Sequence, residues 1–555
     1  MRILWISIVF VSTLLACAPA ARAETVLYDV NGHTSTESGP RDFRVLVVSD
    51  DGRVVATGDS ALLADHPDAV RIDGGGRTVL PGLIDAHGHV YSLGELQDDL
   101  NLTGSPSLAV ALRSLDDYSR AHPYAKWIIG RGWNQVLWPV REFPRAKDID
   151  AVVADRPVWL RRVDGHAGWA NSTTLGIAGI DHDTPDPPGG RIVRDSTGAA
   201  TGILVDKAMD LVEAHIPPPT KAEIRRRYRS AIATLVSLGL TGVHDAGITL
   251  EQAEVYLSMA ADGDLGMRVY AMLLGADETL DAIDKPLRGL DADHLDIAAV
   301  KLFADGALGS RGAALLEPYS DDPENRGLPY WTKAELTPMV ARANRLGFQV
   351  AVHAIGDRAN RMVLDVYDEI QHGAPSPLRN RIEHAQVIAL EDIPRFAELG
   401  VIASMQPTHA TSDMNMAEDR IGPERIRGAY AWRRLLDAGA IIASGSDFPV
   451  ESPNPFLGLY AAVTRQDREG RPAGGWYADQ ALSRAEALHS FTLAAAYAAH
   501  QEDRVGSLEP GKWADFIVID RDYFSVPASE IDDIRVLETW IGGKRIYEAT
   551  EGDRR

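Results

Sequence analysis

Two histidines separated by one residue, His87 and His89, end an apolar, strand-like run that starts near Thr78. Side chains at positions i and i+2 of a strand point to the same side, so both imidazoles can reach one point in space. Imidazole is a common ligand for zinc and similar divalent ions. One His-x-His pair is a weak signal by itself, because two solvated histidines would look the same in a sequence.

Four more residues of metal-ligand type follow, each near the end of a short apolar run: Lys301, His353, His384 and Asp447. An unmodified ammonium group only donates hydrogen bonds and repels cations, so Lys301 can be a ligand only if it is modified or neutral. The alternative is an ordinary charged lysine that pairs with Asp305. An ordered set of six ligand-type residues is much harder to attribute to chance than one pair, and it predicts a metal centre.

The central part of the chain alternates strand-like apolar runs with helical patterns. The predicted strands are Val79–Ala86, Trp127–Gly130, Val158–Val163, Leu240–His244, Val269–Leu274, Ala298–Phe303, Gln349–His353, Arg381–His384, Val401–Met405 and Ile441–Ser444. Such alternation predicts parallel strands with helices between them. Because there are more candidates than one barrel needs, some must belong to an insertion. We place it at about residues 100–220, where Trp, Pro and Gly are frequent.

Short strands and turns also dominate both ends of the chain. They predict one small composite β-sandwich domain built from residues 24–80 and 505–548. Residues 81–504 are predicted to form an α/β fold of the (β/α)8 TIM-barrel type. In such a barrel the active site forms at the C-terminal ends of the strands. All six proposed ligands lie at or near predicted strand ends, so the fold prediction and the ligand prediction agree.

Composition limits the partners of this chain. Hydrophobic residues make up 45% and charged residues 24% of the sequence, which is ordinary for a globular protein, and the formal net charge is −23. Nucleic-acid binding and docking on anionic lipid both need basic surfaces, so neither is expected. We expect a small-molecule substrate, and the sequence leaves open whether the chain forms a homo-oligomer.

The N-terminal residues 1–23 have the pattern of an export signal. Arg2 supplies the positive charge, Ile3–Ala16 is apolar, and Ala21-Arg22-Ala23 matches a cleavage site. Cleavage after Ala23 would release a soluble periplasmic or secreted protein with no transmembrane helix. The only cysteine, Cys17, lies in a stretch that resembles a lipobox, so an outer-membrane lipoprotein is the alternative.

With these motifs in place, the chain resembles the amidohydrolase superfamily over nearly everything after the signal segment. The tail Val505–Asp515 also resembles that superfamily's return to its β-domain. The stretches Gly132–Gln135, Asp164–Asn171, Gly202–Leu204 and Lys301–Gly306 are similar to one branch. That branch contains N-substituted formamide deformylases and related metal-dependent amide hydrolases.

The resemblance implies roles for the six residues. His87 and His89 would bind a more buried metal ion, and His353 and His384 a second one. Lys301 would carry a carbamate derived from carbon dioxide and bridge the two ions. Asp447 would bind the first ion and accept the proton of the attacking water. Two zinc ions are expected, with manganese, iron and cobalt as alternatives because they suit the same ligands.

The expected activity is hydrolysis of an amide-type C–N bond, other than a peptide bond, by metal-activated water. Deaminases of this superfamily usually place a Glu three residues after the histidine of barrel strand five. His353 corresponds to that histidine, and Gly356 stands at the position of the Glu. No serine nucleophile in an obvious elbow motif is seen. The alternatives are an isomerase or lyase on the same scaffold and a non-catalytic binding or regulatory protein, which would have no need to keep all six ligands.

Five further residues are candidate substrate contacts: Trp133, His166, Asp305, Arg311 and His409. Each also has a structural interpretation. His166 and His409 could orient a substrate or be buried structural histidines, and His244 at another strand end has the same two interpretations. Trp133 could wall an aromatic pocket or belong to a core. Asp305 and Arg311 follow Lys301 closely and could support it or contact substrate.

Overall fold

A computed structural model describes residues 24–36, 39–135, 138–162, 167–187, 190–275, 277–309 and 311–550. The predicted signal segment with Cys17 and the candidate His166 lie outside the described residues. None of the helices among the described residues has the length and hydrophobicity of a membrane span.

Parallel strands form the centre of the molecule. In the described residues these are β1 (Leu83–Gly88), β2 (Leu240–Ile248), β3 (Arg268–Leu274), β4 (Leu295–Phe303), β5 (Gln349–Ala354), β6 (Arg381–His384), β7 (Ile402–Met405) and β8 (Ile442–Ser444). They pair side by side in chain order. The backbone N–H of Asp447 donates to the carbonyl of His87 at 2.7 Å, which joins the end of β8 to the end of β1. The predicted (β/α)8 barrel is confirmed.

The barrel strands are rich in Val, Ile, Leu and Ala because both of their faces are buried. Helices surround them: Val90–Asp98, Lys221–Ser237, Leu250–Ala261, Asp277–Ala282, Leu290–Asp293, Lys333–Arg345, Asp357–Gln371, Ile393–Glu398, Pro407–Asp413, Ala417–Arg425, Trp432–Asp437, Pro455–Thr464, Arg484–Ser490 and Leu493–Ala498. Several begin at a capping box, such as Thr220 with Glu223 and Thr332 with Glu335, where each side chain satisfies a free backbone N–H.

Between the first barrel helix and β2, the chain forms an inserted layer with its own mixed sheet. In spatial order its described strands are Gly190–Arg194, Ala200–Asp206, Ala167–Ala170, Val158–Arg162, Ile128–Trp133 and Leu100–Asn101. Its helices are Leu108–Ala121, Ala146–Asp150, Ser172–Ile177 and Asp210–Glu213. The predicted strands beginning at Trp127 and Val158 therefore belong to this insertion.

Both ends of the chain share one further sheet. Its described strands are Thr25–Thr36, Gly39–Val48, Val54–Gly58, Val70–Asp73, Thr78–Pro81, Phe516–Ile519, Val536–Ile541 and Lys544–Glu548. The C-terminal strand Phe516–Ile519 pairs antiparallel with Thr78–Pro81. Arg268 at the start of β3 forms a buried ion pair with Asp515, at 2.5 and 2.9 Å, and so ties this sheet to the barrel.

One predicted strand, Val79–Ala86, is two strands in the structure. Thr78–Pro81 belongs to the terminal sheet and Leu83–Gly88 is β1. The break falls at Gly82, whose N–H donates to the carbonyl of Asp515 at 2.9 Å. A Cβ at Gly82 would lie 2.2 Å from the hydroxyl oxygen of Thr241, so only glycine allows this close passage from one sheet to the other.

Candidate metal centre

His87 lies at the C-terminal end of β1 and is fully buried. Its Nδ1–H donates to Oε2 of Glu383 at 2.5 Å. This bond fixes the ring and leaves Nε2 as the nitrogen with a free lone pair. Nε2 lies 3.3 Å from Nζ of Lys301 and 3.5 Å from Oδ1 of Asp447. Side chains from β1, from β4 and from the loop just after β8 therefore converge on one point.

Glu383 is held by Arg381, two residues earlier on β6. The guanidinium donates to both carboxylate oxygens, at 2.8 and 3.1 Å, and all of these groups are buried. Arg381 also donates to the carbonyl of Ala86 and to Nδ1 of His244. Burial alone would raise the pKa of Glu383, but Arg381 and His87 outweigh it and hold that pKa well below its usual value. The carboxylate is therefore ionised when it accepts from His87.

Asp447 lies just after β8 at a positive φ of 61°, among several histidines. Its Oδ1 is 3.1 Å from Nε2 of His89, and its Oδ2 is 3.7 Å from Nε2 of His409. Burial would raise the pKa of Asp447, but the hydrogen bond from His89 and the neighbouring histidines hold the pKa well below its usual value. Asp85 fixes the turn that carries Asp447, because its carboxylate accepts a hydrogen bond from the hydroxyl of Ser446 at 2.7 Å.

His384 ends β6 at a positive φ of 72°, which lets it and its neighbour Glu383 both reach the centre of the barrel. Its Nδ1–H donates to Oε1 of Gln406 at 2.7 Å and leaves Nε2 with a free lone pair. The ring centroid of His384 lies 4.6 Å from that of His353 and 4.9 Å from that of His87. His384 thus links the β1 and β5 sides of the centre.

His353 on β5 lies near Asp305 without forming a hydrogen bond to it. Its Nε2 lies 3.7 Å from Oδ1 of Asp305, beyond hydrogen-bond range, and has no partner among the described residues. The carboxylate of Asp305 instead accepts the backbone N–H groups of Ile355, Gly356 and Ala314, each at 2.8–2.9 Å. These donors, rather than Lys301, satisfy Asp305, so the structure does not form the ordinary Lys301–Asp305 ion pair weighed as an alternative.

Lys301 lies within β4 and is buried. Burial lowers its pKa to about 8. Its amine is therefore neutral in part of the molecules near physiological pH. The amine also lies 4.8 Å from the centre of the Phe303 ring. This is the environment of a reactive lysine rather than of a solvated charge.

The ligand atoms form two overlapping sets among the described residues. One set is His87, His89 and Asp447, and the other is His384, His409 and Asp447; within each set the atoms lie within 4.8 Å of one another. Nε2 of His409 is buried and has no hydrogen-bond partner among those residues. Imidazoles gathered around a carboxylate fit divalent metal ions. His353 belongs to neither set, and His409 was expected only as a substrate contact.

The remaining candidates make contacts elsewhere. Trp133 is fully buried in the insertion, where its indole N–H donates to the carbonyl of Leu160 at 2.8 Å and its ring packs on Trp169. Arg311 pairs with Asp321 at 2.9 Å near the surface. Substrate contact by these residues stays a prediction. Arg381, Glu383 and Gln406 were not predicted at all, although the two charged residues Arg381 and Glu383, alternating inside a buried strand, are an available signal.

Comparisons with known proteins show which family and fold the chain resembles. A sequence profile described as "Amidohydrolase family" matches residues 71–547. The N-substituted formamide deformylase of Arthrobacter pascens is 29% identical over 94% of this chain and 98% of its own length. The protein LONG AFTER FAR-RED 3 of Arabidopsis thaliana is 34% identical over 97% of this chain and 94% of its own. A crystal structure of a metal-dependent hydrolase from Pyrococcus horikoshii superposes with a TM-score of 0.78 at 29% identity, covering 91% of this chain and 99% of that one.

Proposed function

The chain belongs to the amidohydrolase family, and from that premise we propose that this hydrolase uses two divalent metal ions to cleave an amide-type C–N bond in a small organic substrate. The observation that carries the proposal is the convergence of ligand groups around Asp447 at the C-terminal ends of the barrel strands. Barrels of this kind place their active sites at that end.

The proposed ligands form two metal-binding positions. His87, His89 and Asp447 would hold one ion, and His353 and His384 the other, with His409 close to Asp447 as a further donor. Lys301 would join both positions. Ions bound there would lower the pKa of a water molecule toward neutrality and polarise the substrate carbonyl.

Lys301 would serve as a ligand after carboxylation. The lone pair of its neutral amine attacks the carbon of carbon dioxide, a new N–C bond forms as one C=O π pair moves onto oxygen, and the nitrogen releases one proton to solvent. The resulting carbamate carries one negative charge and two oxygen ligands. The lowered pKa of about 8 supports this step, because only the neutral amine has a lone pair to donate.

Asp447 would move the proton. Its carboxylate accepts a proton from the attacking water while the oxygen of that water bonds to the carbonyl carbon and the C=O π pair moves onto the carbonyl oxygen. Asp447 then gives the proton to the amide nitrogen as the C–N bond breaks, because an unprotonated amine anion is a poor leaving group. The depressed pKa of Asp447 supports a carboxylate that is ionised at neutral pH, the state in which it can bind a cation and take up a proton.

An amide bond is the favoured target for two reasons. A deformylase of N-substituted formamides aligns with almost the whole chain. The position three residues after His353 is Gly356, which has no side chain to assist deamination of a base. Gly356 packs tightly, since a Cβ there would lie 2.0 Å from the carbonyl oxygen of Ala314. No larger residue could take its place without a shift of this loop.

A screen for amine release tests the proposal. Purified protein is supplied with zinc and bicarbonate and offered N-substituted formamides, N-acyl amino acids and cyclic amides in parallel. We expect turnover in at least one of these groups and a strongly reduced turnover with the Asp447→Asn variant. Absence of hydrolysis across all three groups by fully metal-loaded protein would contradict the amide assignment.

A further inference from the structure

Two histidines of the metal centre are held by acceptors of different charge. Nδ1–H of His87 donates to a carboxylate oxygen of Glu383 at 2.5 Å. Nδ1–H of His384 donates to the amide oxygen of Gln406 at 2.7 Å. All four side chains are buried. The two bonds are alike in geometry, and each leaves the lone pair on Nε2, so the difference between them lies in the charge of the acceptor.

An anionic acceptor attracts the Nδ1 proton more strongly than a neutral amide does. Electron density therefore moves toward Nε2, which becomes a better metal ligand. Burial strengthens this effect because little solvent is present to screen it. Arg381 fixes Glu383 with two hydrogen bonds, at 2.8 and 3.1 Å, so the carboxylate cannot turn away from His87.

Nearby carboxylates do not cancel the difference. Asp447 lies on the His87 side, with Oδ1 3.5 Å from Nε2 of His87 and 3.1 Å from Nε2 of His89. Asp305 lies near His353, but the separation is 3.7 Å and its oxygens already accept three backbone N–H groups. Among the described residues, neither His353 nor His384 donates a hydrogen bond to a carboxylate.

We propose that the position formed by His87 and His89 binds its metal ion more tightly than the position formed by His353 and His384, and that Glu383 and Gln406 set the difference. This inference rests on the proposed two-metal function. Loss of such a hydrogen-bonding partner typically changes metal affinity by about 10–100-fold. The chain would fill stepwise, and the second ion would be the exchangeable one.

Competition titration of zinc measures both steps. Metal-free full-length protein is titrated with zinc against a chromophoric chelator, and we expect two dissociation constants that differ by about 10–100-fold. Glu383→Gln should weaken the tighter step, and Gln406→Glu should strengthen the weaker one. The double variant with Glu383→Gln and Gln406→Glu should bring the two dissociation constants together or reverse their order. His353→Ala assigns the steps, because it should remove the weaker step and keep the tighter one.

Each outcome has a defined meaning. Circular dichroism and thermal melts of the metal-free variants show which of them fold. If Glu383→Gln does not fold because Arg381 loses its partner, Gln406→Glu tests the inference instead. If neither variant folds, the test is the difference between the two wild-type dissociation constants, assigned with His353→Ala. Equal constants in the wild type, or folded variants that leave both constants unchanged, would overturn the inference while turnover persists. Failure of the wild type to bind zinc would instead overturn the proposed function.

Discussion

Nζ of Lys301 lies 3.3 Å from Nε2 of His87, although 214 residues separate them in the chain. Burial, followed by the charge of Lys301, lowers the pKa of His87 to about 4, so this imidazole is neutral near pH 7. Burial lowers the pKa of Lys301 to about 8. The neutral Nε2 of His87 can therefore bind a metal ion as it stands. Lys301, whose pKa lies close to physiological pH, would become a second ligand beside it once it carries the carbamate.

Lys301→Ala should lose metal and most turnover, because the bridging anion cannot form. Lys301→Glu keeps a carboxylate and should retain part of the metal. Short carboxylic acids such as formate should restore some metal binding to Lys301→Ala by occupying the vacated space. Metal content by atomic emission and turnover are measured together. Full metal content and normal turnover in Lys301→Ala would remove Lys301 from the centre.

Carboxylation of Lys301 should accelerate as pH rises. With a pKa of about 8, roughly one tenth of the amines are neutral at pH 7 and roughly nine tenths at pH 9. At a fixed concentration of dissolved carbon dioxide, metal-free protein should therefore form the carbamate almost tenfold faster at pH 9. The carbonyl signal of ¹³C-labelled carbon dioxide, followed by NMR, reports the rate. A rate that is flat or falls over this range would speak against a neutral-amine step.

Asp447→Asn should reduce kcat by ~10²–10⁴-fold, the usual range for loss of a general acid–base group. The amide keeps the shape of the carboxylate but cannot take up a proton as an anion does. Metal content must be measured in parallel, since the loss of a ligand could by itself explain lower activity. Asp183→Asn, at a carboxylate that is 92% exposed, is the matched control. Normal turnover with full metal in Asp447→Asn would reopen the assignment of the proton carrier.

Trp133→Ala distinguishes a core residue from a pocket wall. Because the indole is fully buried in the insertion, truncation should cost about 3–5 kcal/mol of unfolding free energy. Tyr124→Ala, at a side chain that is 96% exposed, should change stability by no more than about 0.5 kcal/mol. Chemical denaturation and the Michaelis constant are measured for both. A raised KM in Trp133→Ala with unchanged stability would favour the pocket wall.

Much of the fold follows from local pattern. The alternation of apolar runs and helical segments predicts parallel strands, and the structure places His87, Lys301, His353 and His384 within barrel strands. The sequence also shows which predicted strand ends carry side chains that could bind a metal ion. The division at Gly82 is not, because it depends on contact with Thr241 in a strand more than a hundred residues later.

The groups that hold the ligands could not be predicted in the same way. Glu383 contacts His87 only because the barrel brings β6 across from β1, a pairing 296 residues apart in the chain. Alternation in a regular strand would also point Glu383 and His384 to opposite sides. The positive φ of His384 breaks that rule and brings both inward. His409 lies on the helix after β7 rather than in a strand, so strand-end reasoning gave it no metal role.

Metal dependence tests the proposed chemistry most directly. Metal ions per chain are counted in purified active protein, turnover is measured before and after treatment with a chelator, and zinc is then added back with bicarbonate. We expect about two ions per chain, loss of turnover on chelation, and recovery on reconstitution. Active protein that contains no metal and keeps its rate in the presence of chelators would contradict a metal-dependent hydrolase.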